Sequence, residues 1–145
     1  MQITIEIKDA GAKDMLNRIA RKGGDMGGAL MIIGERIMRH TDARFTAQRD
    51  ADGNPWKSLR PATLRHKKNP MILTESHQLR GSIRHQVSGN VLRVGTNKVY
   101  GAIHQLGGKA GRGRKVKIPA RPFLGIGKQD SKDIVEVLTD WLEAK

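Results

Sequence analysis

Residues 100–127 have the sequence YGAIHQLGGKAGRGRKVKIPARPFLGIG, and this stretch organises the interpretation of the whole chain. A short apolar and polar cluster leads into the glycine-rich, basic segment 107–117, and the stretch ends in IPARPFLG. Glycine loses much conformational freedom on folding, so the basic segment predicts a long mobile loop between two anchored segments. Pro119 and Pro122 restrict their own φ angles and the residues before them, which keeps the chain extended after the loop.

The positive charge is concentrated in the middle of the chain. Residues 1–52 contain nine Lys or Arg and eight Asp or Glu, residues 53–129 contain sixteen and one, and residues 130–145 contain two and five. These three parts therefore carry +1, +15 and −3. A surface with this bias attracts polyanions or an acidic protein partner. The alternative is that the basic face only keeps the protein soluble.

The length of 145 residues is typical of one domain, so we expect residues 1–145 to form a single domain. The chain has no cysteine, which excludes disulfides and thiolate metal ligands. No stretch approaches the roughly 20 apolar residues of a membrane span, and the N-terminus lacks the pattern of a signal peptide. We therefore expect a soluble protein with no membrane partner.

The N-terminal third predicts one strand and two helices. Residues 2–8 alternate apolar and polar positions as in a half-buried strand, and Asp9 can cap a helix that Gly23 and Gly24 end. A longer helix begins at Asp25 or Gly28 and ends near residue 48. Its apolar stripe consists of Leu30, Ile33 and Ile37 and extends towards Phe45.

The remaining sequence predicts a short helix, a hairpin and a terminal helix. The short helix spans 74–80 with Thr74 as its cap, and strands 82–87 and 91–96 pair across a Ser-Gly-Asn turn. The apolar set of the hairpin is Ile83, Val87, Val91 and Val94. The terminal helix, 130–143, carries the stripe Ile134, Val137, Leu138, Trp141 and Leu142 opposite Asp133, Glu136, Asp140 and Glu143.

These elements predict an α+β fold. A small, mostly antiparallel sheet packs against a long N-terminal helix and a C-terminal amphipathic helix, with two long basic loops at 60–70 and 107–117. We expect the cations of these loops to contact a partner or DNA. Arg121, which lies between two prolines, is included, although a structural role is equally expected for it. These residues are Arg65, Lys67, Lys68, Lys109, Arg112, Arg114, Lys115, Lys117 and Arg121.

A second group of residues is assigned mainly structural roles. Trp56 follows Asn54-Pro55 in a turn, where it serves either as a hydrophobic plug or as a stacking or interface anchor. Tyr100 and His104 belong to the turn packed under the basic segment, with a contact role as the alternative. Pro119, Pro122 and Phe123 complete this structural group.

No enzymatic motif emerges, and we predict no catalytic, cofactor-binding or metal-binding residues. A metal-dependent nuclease needs converging carboxylates, yet residues 53–129 contain only Glu75, so Asp50, Asp52 and the C-terminal helix would have to supply them. The five histidines lack metal-ligand spacing, Ser76-His77 lacks a nucleophile elbow, and the glycines lack a Walker ending.

Non-specific nucleic-acid binding is the strongest alternative function from another class. Loops rich in Lys, Arg and Gly can follow phosphates by charge alone. The chain has only five aromatic residues, one of which, Trp141, lies in the stripe of the terminal helix, so no stacking platform is visible. Binding to DNA would therefore depend on charge and not on base sequence.

Several motifs occur in an order that resembles a known family. After Phe45 they are DGNPWKSL at 52–59, TL at 63–64, ILT at 72–74, LRGSI at 79–83, VGT at 94–96, YGAIHQLGG at 100–108 and IPARPFLG at 118–125. Together they resemble the phage virion morphogenesis family, the tail-completion and head-tail-joining proteins of Mu-like and related tailed phages. The resemblance covers about two-thirds of the chain.

The resemblance implies a structural protein of a phage or prophage virion, without catalysis or cofactors. It implies action in tail completion or head-tail joining at the neck, as an oligomeric ring assembled in the cytoplasm of the host bacterium. The expected partners are further copies of the chain, other neck or tail proteins and, by non-specific contact, packaged DNA. A basic surface could then line the lumen of the ring or bind an acidic neighbouring ring.

Overall fold

A computed structural model describes residues 2–5, 10–21, 26–67, 69–74, 77–89 and 91–143. Within these ranges the architecture is α+β, as predicted. The helices are α1 (Ala10–Arg21), α2 (Met26–Ala47), α3 (Pro61–His66), α4 (Gln78–Gly81), α5 (Gly101–Leu106) and α6 (Lys128–Glu143). The strands are β1 (Gln2–Ile5), β2 (Arg84–Ser88), β3 (Val91–Gly95), β4 (Gly108–Ala110) and β5 (Val116–Ile118).

Several residues used in the predictions lie outside the described ranges. They are the N-terminal positions Ile7, Lys8, Asp9, Gly23, Gly24 and Asp25 and the later positions Lys68, Glu75, Ser76 and Asn90. No helix in the described ranges has the length and apolar character needed to span a membrane.

The larger sheet is antiparallel, with the strand order β1-β3-β2. Val87 pairs with Leu92 and His85 pairs with Val94, so Leu92 and Val94 lie on the same face of β3. Both are buried. The predicted apolar set included Val91, which was wrong: Val91 pairs with Ser88 and, because side chains alternate along a strand, belongs to the opposite face.

Helix α2 packs against strands β2 and β3. Its predicted stripe is confirmed, because Leu30, Ile33 and Ile37 are buried and the stripe continues to Phe45. A Cβ atom at Gly34 would lie 2.6 Å from Nδ1 of His85, so the absence of a side chain at this position allows the helix to lie close to β2.

Helix α6 packs against both α1 and α2. Ile134, Val137 and Leu138 are buried, and Trp141 and Leu142 are half-buried at the edge of the same stripe. The predicted amphipathic helix is therefore confirmed. The apolar stripe of α6 faces the other two long helices, α1 and α2.

An aromatic cluster lies where α2 meets the IPARPFLG segment (residues 118–125). The ring of Phe45 makes an edge-on contact with Trp56, with 5.4 Å between centroids, and a tilted contact with Phe123 at 5.8 Å. Trp56 Nε1 donates a hydrogen bond to the carbonyl of Pro122 over 2.7 Å. Trp56 therefore has the environment of a hydrophobic plug whose single polar atom is satisfied.

The two segments predicted as long basic loops contain regular secondary structure, so this part of the prediction was wrong. Residues 61–66 form α3, which Pro61 begins because the first helical positions need no backbone donor. Residues 108–118 form the basic hairpin, in which β4 and β5 pair so that Lys109 lies opposite Lys117. The predicted helix 74–80 is also shorter than expected and begins at Gln78.

Arg80 attaches α4 to α2. Its guanidinium donates to both carboxylate oxygens of Asp42, over 2.6 and 3.0 Å, and to Oγ1 of Thr46 over 2.7 Å. The hydrogen bond from Arg80 lowers the pKa of Asp42, and the same bond raises the pKa of Arg80. The pair lies at the surface, so its contribution is to orientation more than to stability.

A buried ion pair joins α2, the IPARPFLG segment and α6. Nη2 of Arg44 donates to Asp130 over 2.5 Å, while Nη1 donates to the carbonyls of Phe123 and Gly125. Asp130 also accepts from Gly127 N over 2.8 Å and contacts His40 Nδ1 at 2.6 Å. Arg44 and Asp130 are 7% and 2% exposed, so each charge depends on the other for compensation.

We predict that Asp130→Asn strongly destabilises the fold. The amide keeps the shape of the side chain but leaves the buried guanidinium of Arg44 without a counter-charge, which should reduce the free energy of unfolding by about 3–5 kcal/mol. Chemical denaturation of the purified variant measures this loss.

The matched control for this prediction is Asp133→Asn, one turn further along α6. Asp133 contacts His40 Nε2 at 3.1 Å and Arg36 at 3.9 Å, nearer the surface. We expect a loss of no more than about 1 kcal/mol for the control. Equal losses in the two variants would contradict a special role for the buried pair.

Candidate functional site

The IPARPFLG segment is attached to α5 by the side chain of Gln105. Its Oε1 accepts hydrogen bonds from the backbone amides of Phe123 and Leu124, over 3.0 and 2.9 Å. Its Nε2 donates to the carbonyl of Leu124 over 2.9 Å. Because Arg121 N also donates to the carbonyl of His104 over 2.7 Å, α5 and the segment form one unit.

Arg121 is buried between its two prolines and is 7% exposed. Its Nε donates to the carbonyl of Lys57 over 2.7 Å, and its Nη2 donates to the carbonyl of Ser58 over 3.2 Å. Burial lowers the pKa of Arg121 because the charged guanidinium is removed from water. Arg121 therefore attaches the segment after Trp56 to the IPARPFLG segment.

The two basic segments of the sequence meet at one cavity of about 900 Å³, which we call the basic groove. It lies between the segment 57–60 and α3 on one side and β5 with Pro119 on the other, with α4 and α5 contributing to its floor. The basic side chains that line it are Lys57, Arg60, Lys67, His77, His104, Lys117 and Arg121. The apolar ones are Leu59, Ala62, Leu73, Leu79, Tyr100, Val116, Ile118 and Pro119.

The residues predicted to contact a partner fall into three groups. Lys67, Lys117 and Arg121 line the basic groove. Arg65 is exposed on α3, and Lys68 lies outside the described ranges. The remaining four are exposed on the basic hairpin: Lys109 in the middle of β4, and Arg112, Arg114 and Lys115 at the tip.

The residues assigned structural roles also separate. Trp56 and Phe123 are buried in the aromatic cluster, and Pro122 supplies the carbonyl that accepts from Trp56. Tyr100, His104 and Pro119 line the basic groove.

Two exposed cations of the groove, Lys57 and Arg60, were not singled out from the sequence. Each is an isolated cation on either side of Ser58-Leu59, whereas the prediction followed the dense run that begins at Arg65. The available signal was their position just before the helix, since Arg60 directly precedes Pro61 and Lys57 lies three residues earlier.

A tight approach fixes the start of the basic hairpin. Gly107 has φ of +75°, and a Cβ atom there would lie 2.9 Å from the backbone nitrogen of Ala120. Glycine is therefore required for both the backbone conformation and the space. The side chains of the hairpin beyond this point are exposed from Gly111 to Lys117.

His104 forms part of the groove floor beside Arg121. Its ring makes an edge-on contact with Tyr100, with 6.0 Å between centroids, and its Nδ1 has no hydrogen-bond partner among the described residues. Burial lowers the pKa of His104, and the nearby positive charge of Arg121 lowers it further. The surroundings of His104 therefore favour a neutral imidazole, and the buried positive charge at this point of the groove belongs to Arg121.

We predict that His104 makes the fold sensitive to mild acid. The unfolded imidazole protonates near pH 6.5, whereas the folded one resists protonation to lower pH. The contribution of neutral His104 is therefore complete above this value and is lost as the pH falls from about 6.5 through the folded pKa. In His104→Gln, the free energy of unfolding should fall less between pH 7.5 and about 5 than it does in the unmodified protein.

Denaturant titrations at a series of pH values test this prediction. The control is His66→Gln on the exposed surface of α3, which leaves His104 in place and should keep the unmodified pH dependence. A His104→Gln protein with the same pH slope as the unmodified protein would refute the assignment.

Two of the carboxylates proposed for a nuclease, Asp50 and Asp130, have structural partners. Asp50 Oδ1 accepts from the backbone amides of Asp52 and Asn54, both over 2.9 Å, which closes the turn before Trp56. Asp130 is bound to Arg44 as described above. Within the described ranges, no three His, Asp or Glu side chains form a cluster that could hold a metal ion. Glu75 and Ser76 lie outside these ranges.

Comparison with known proteins gives the class of the chain. A model of the phage virion morphogenesis family matches residues 7–143, so the chain belongs to this family. The family is named for virion morphogenesis, the building of phage particles, and the predicted resemblance is confirmed.

Two relatives make the similarity more specific. The chain is 46% identical to Mu-like prophage FluMu G protein 2 of Haemophilus influenzae over 95 residues, which cover 65% of this chain and 64% of that protein. It is 27% identical over 114 residues to protein G of Escherichia phage Mu, a candidate capsid assembly protein, covering 74% of this chain and 73% of that one. No solved structure matches the chain.

Proposed function

We propose that this protein is a structural component of the virion that acts in tail completion or head-tail joining at the neck. It belongs to the phage virion morphogenesis family over nearly its whole length, and this match is the observation that carries the proposal. The protein is assembled into the particle in the cytoplasm of the host bacterium and works as a homo-oligomeric ring that contacts other neck or tail proteins.

The arrangement of charge supports a docking role over a catalytic one. Arg44 and Arg121, the buried arginines, are bound to a carboxylate or to backbone carbonyls of the same chain. Lys57, Arg60 and Lys117 are instead exposed around an apolar-floored groove. Exposed cations around a concave surface attract an acidic partner and orient it as it approaches.

The proposal predicts a specific assembly defect when the gene is deleted from the phage or prophage that encodes it. DNA-filled heads and tails should accumulate separately, with few or no joined particles, because the missing component acts after both have formed. Electron microscopy of lysates and plaque titre measure the defect, and the unmodified gene supplied in trans should restore joined particles.

The same experiment can overturn the proposal. Loss of DNA-filled heads would place the protein in capsid assembly, the role for which the relative in phage Mu is named. Normal numbers of infectious particles would exclude an essential role in virion assembly. A lysate containing separate heads and tails is the outcome that supports tail completion or joining.

Non-specific contact with packaged DNA is a second candidate function, favoured by the basic hairpin. Its tip places Arg112, Arg114 and Lys115 within four residues, all exposed. None of these three side chains has a hydrogen-bond or ion-pair partner in the part of the chain that the structure describes, so all remain available to phosphates.

Replacing the three tip residues by serine should reduce both the affinity for a random DNA duplex and its dependence on salt. Each phosphate contact contributes about 0.9 to the slope of log K against log salt, so three lost contacts should lower the slope by roughly 2–3. Fluorescence anisotropy across a salt series measures both quantities.

The control replaces three exposed cations elsewhere, Arg18, Arg39 and Lys132, by serine and removes the same net charge. If this control changes the slope as much as the tip variant does, binding depends on net charge and the hairpin has no special role. Weak binding of the unmodified protein at low salt would reject the second function altogether.

A further inference from the structure

Helix α6 carries an exposed acidic face. Glu136, Asp140 and Glu143 are exposed at helical spacings of four and three residues, which places them along one side over roughly 10 Å. Asp130 and Asp133 take no part in this face because they are largely buried and contact Arg44, Arg36 and His40. Glu136 also contacts Arg36, at 3.7 Å, but its side chain remains 59% exposed. We call Glu136, Asp140 and Glu143 the acidic face of α6.

The basic groove carries the complementary charge. Lys57, Arg60 and Lys117 are exposed on its rim and come from two separate parts of the chain. Their side chains have no ion-pair or hydrogen-bond partner among the described residues. These three cations therefore surround a cavity of about 900 Å³. Within the described ranges, no carboxylate of the same chain neutralises them.

Apolar surface lies beside the charges on both elements. Val116 lines the groove and is 48% exposed, and Leu59 and Ile118 line it as well. On α6, Val135 is 39% exposed, about 100° around the helix from Glu136 and therefore beside the acidic face and not on it. A phosphate backbone offers no apolar group to such a floor, whereas the surface of an amphipathic acidic helix offers both an apolar side chain and carboxylates.

We propose that the acidic face of α6 in one copy of this protein docks in the basic groove of the next copy. This inference rests on the homo-oligomeric ring of the proposed function and identifies the contact that would build it. The two surfaces are different parts of the chain, so the contact is heterologous. Each added copy presents a free groove at one end and a free acidic face at the other, and a closed ring satisfies both.

The net charge of +13 opposes self-association, and contact between opposite charges offsets this repulsion. Two copies repel each other at long range, but the Debye length is about 10 Å at 0.1 M salt, so most of this repulsion is screened. Opposite charges in direct contact at a partly desolvated groove are screened less. The association should therefore be measured near 0.1 M salt.

A charge-swap experiment tests the contact. The groove variant carries Lys57→Glu, Arg60→Glu and Lys117→Glu, and the helix variant carries Glu136→Lys, Asp140→Lys and Glu143→Lys. Each variant alone presents like charges on both contacting surfaces, so its self-association should be at least about a hundredfold weaker than that of the unmodified protein. Analytical ultracentrifugation of the full chain measures this.

Mixing the two variants should restore oligomers. In the mixture, the acidic helix of the groove variant meets the unmodified groove of the helix variant, and the basic helix of the helix variant meets the acidic groove. Restored association in the equimolar mixture therefore supports direct contact between these two surfaces, and misfolding of either variant cannot produce it. Circular dichroism of each variant checks its fold independently.

The matched control reverses three cations of the hairpin tip: Arg112→Glu, Arg114→Glu and Lys115→Glu. This variant has the same net charge as the groove variant, and it should associate like the unmodified protein. Equal loss of association in both variants, or failure of the mixture to associate, would overturn the proposed contact. So would association of the unmodified protein that appears only when a random DNA duplex is added.

The outcome is separable from that of the proposed function. If the groove and helix variants do not associate differently from the unmodified protein, while deletion of the gene still leaves heads and tails unjoined, only the contact is wrong. If deletion leaves infectious particles unaffected, the proposed function fails whatever the result of the charge swap.

Discussion

The buried ion pair between Arg44 and Asp130 is the constraint that fixes the relative positions of α2, the IPARPFLG segment and α6. Neither charge is stable in the interior without the other, and the remaining donors of Arg44 are used by the carbonyls of Phe123 and Gly125. The carboxylate of Asp130, in the first turn of α6, also accepts a hydrogen bond from the amide of Gly127. The beginning of this helix is therefore held against the middle of the chain. The aromatic cluster of Phe45, Trp56 and Phe123 forms where these elements meet.

The same segment supports the basic groove from beneath. Gln105 binds it from α5, and Arg121 extends from it to the carbonyls of Lys57 and Ser58, so the chain on the groove rim is attached directly to the interior. Two roles for positive charge result. Buried arginines organise the backbone, while exposed cations remain available to an acidic partner. A docking surface on a fixed backbone loses less conformational freedom when the partner binds.

Elements with a clear periodicity of apolar residues were predictable from sequence, and short elements were not. The stripes of α2 and α6 and the antiparallel pairing of β2 with β3 each follow from a local pattern, which the structure confirms. Helix α3 has six residues, none of them buried, and β4 and β5 have three residues each beside several glycines, so their patterns resembled those of loops. Val91 was assigned to the wrong face of the sheet. The pairing of Val87 with Leu92 decides which residues of β3 face the core, and this register depends on both strands together.

The sequence by itself determined the concentration of charge in residues 53–129, the amphipathic faces of the long helices and the ordered motifs of the phage virion morphogenesis family. Composition and spacing along the chain carry these properties. Only the tertiary structure decided that the two basic segments share one groove with Lys57 and Arg60, and that Arg121 and Asp130 are buried. The reason is that burial and proximity depend on contacts between residues more than 60 positions apart, which no local pattern encodes.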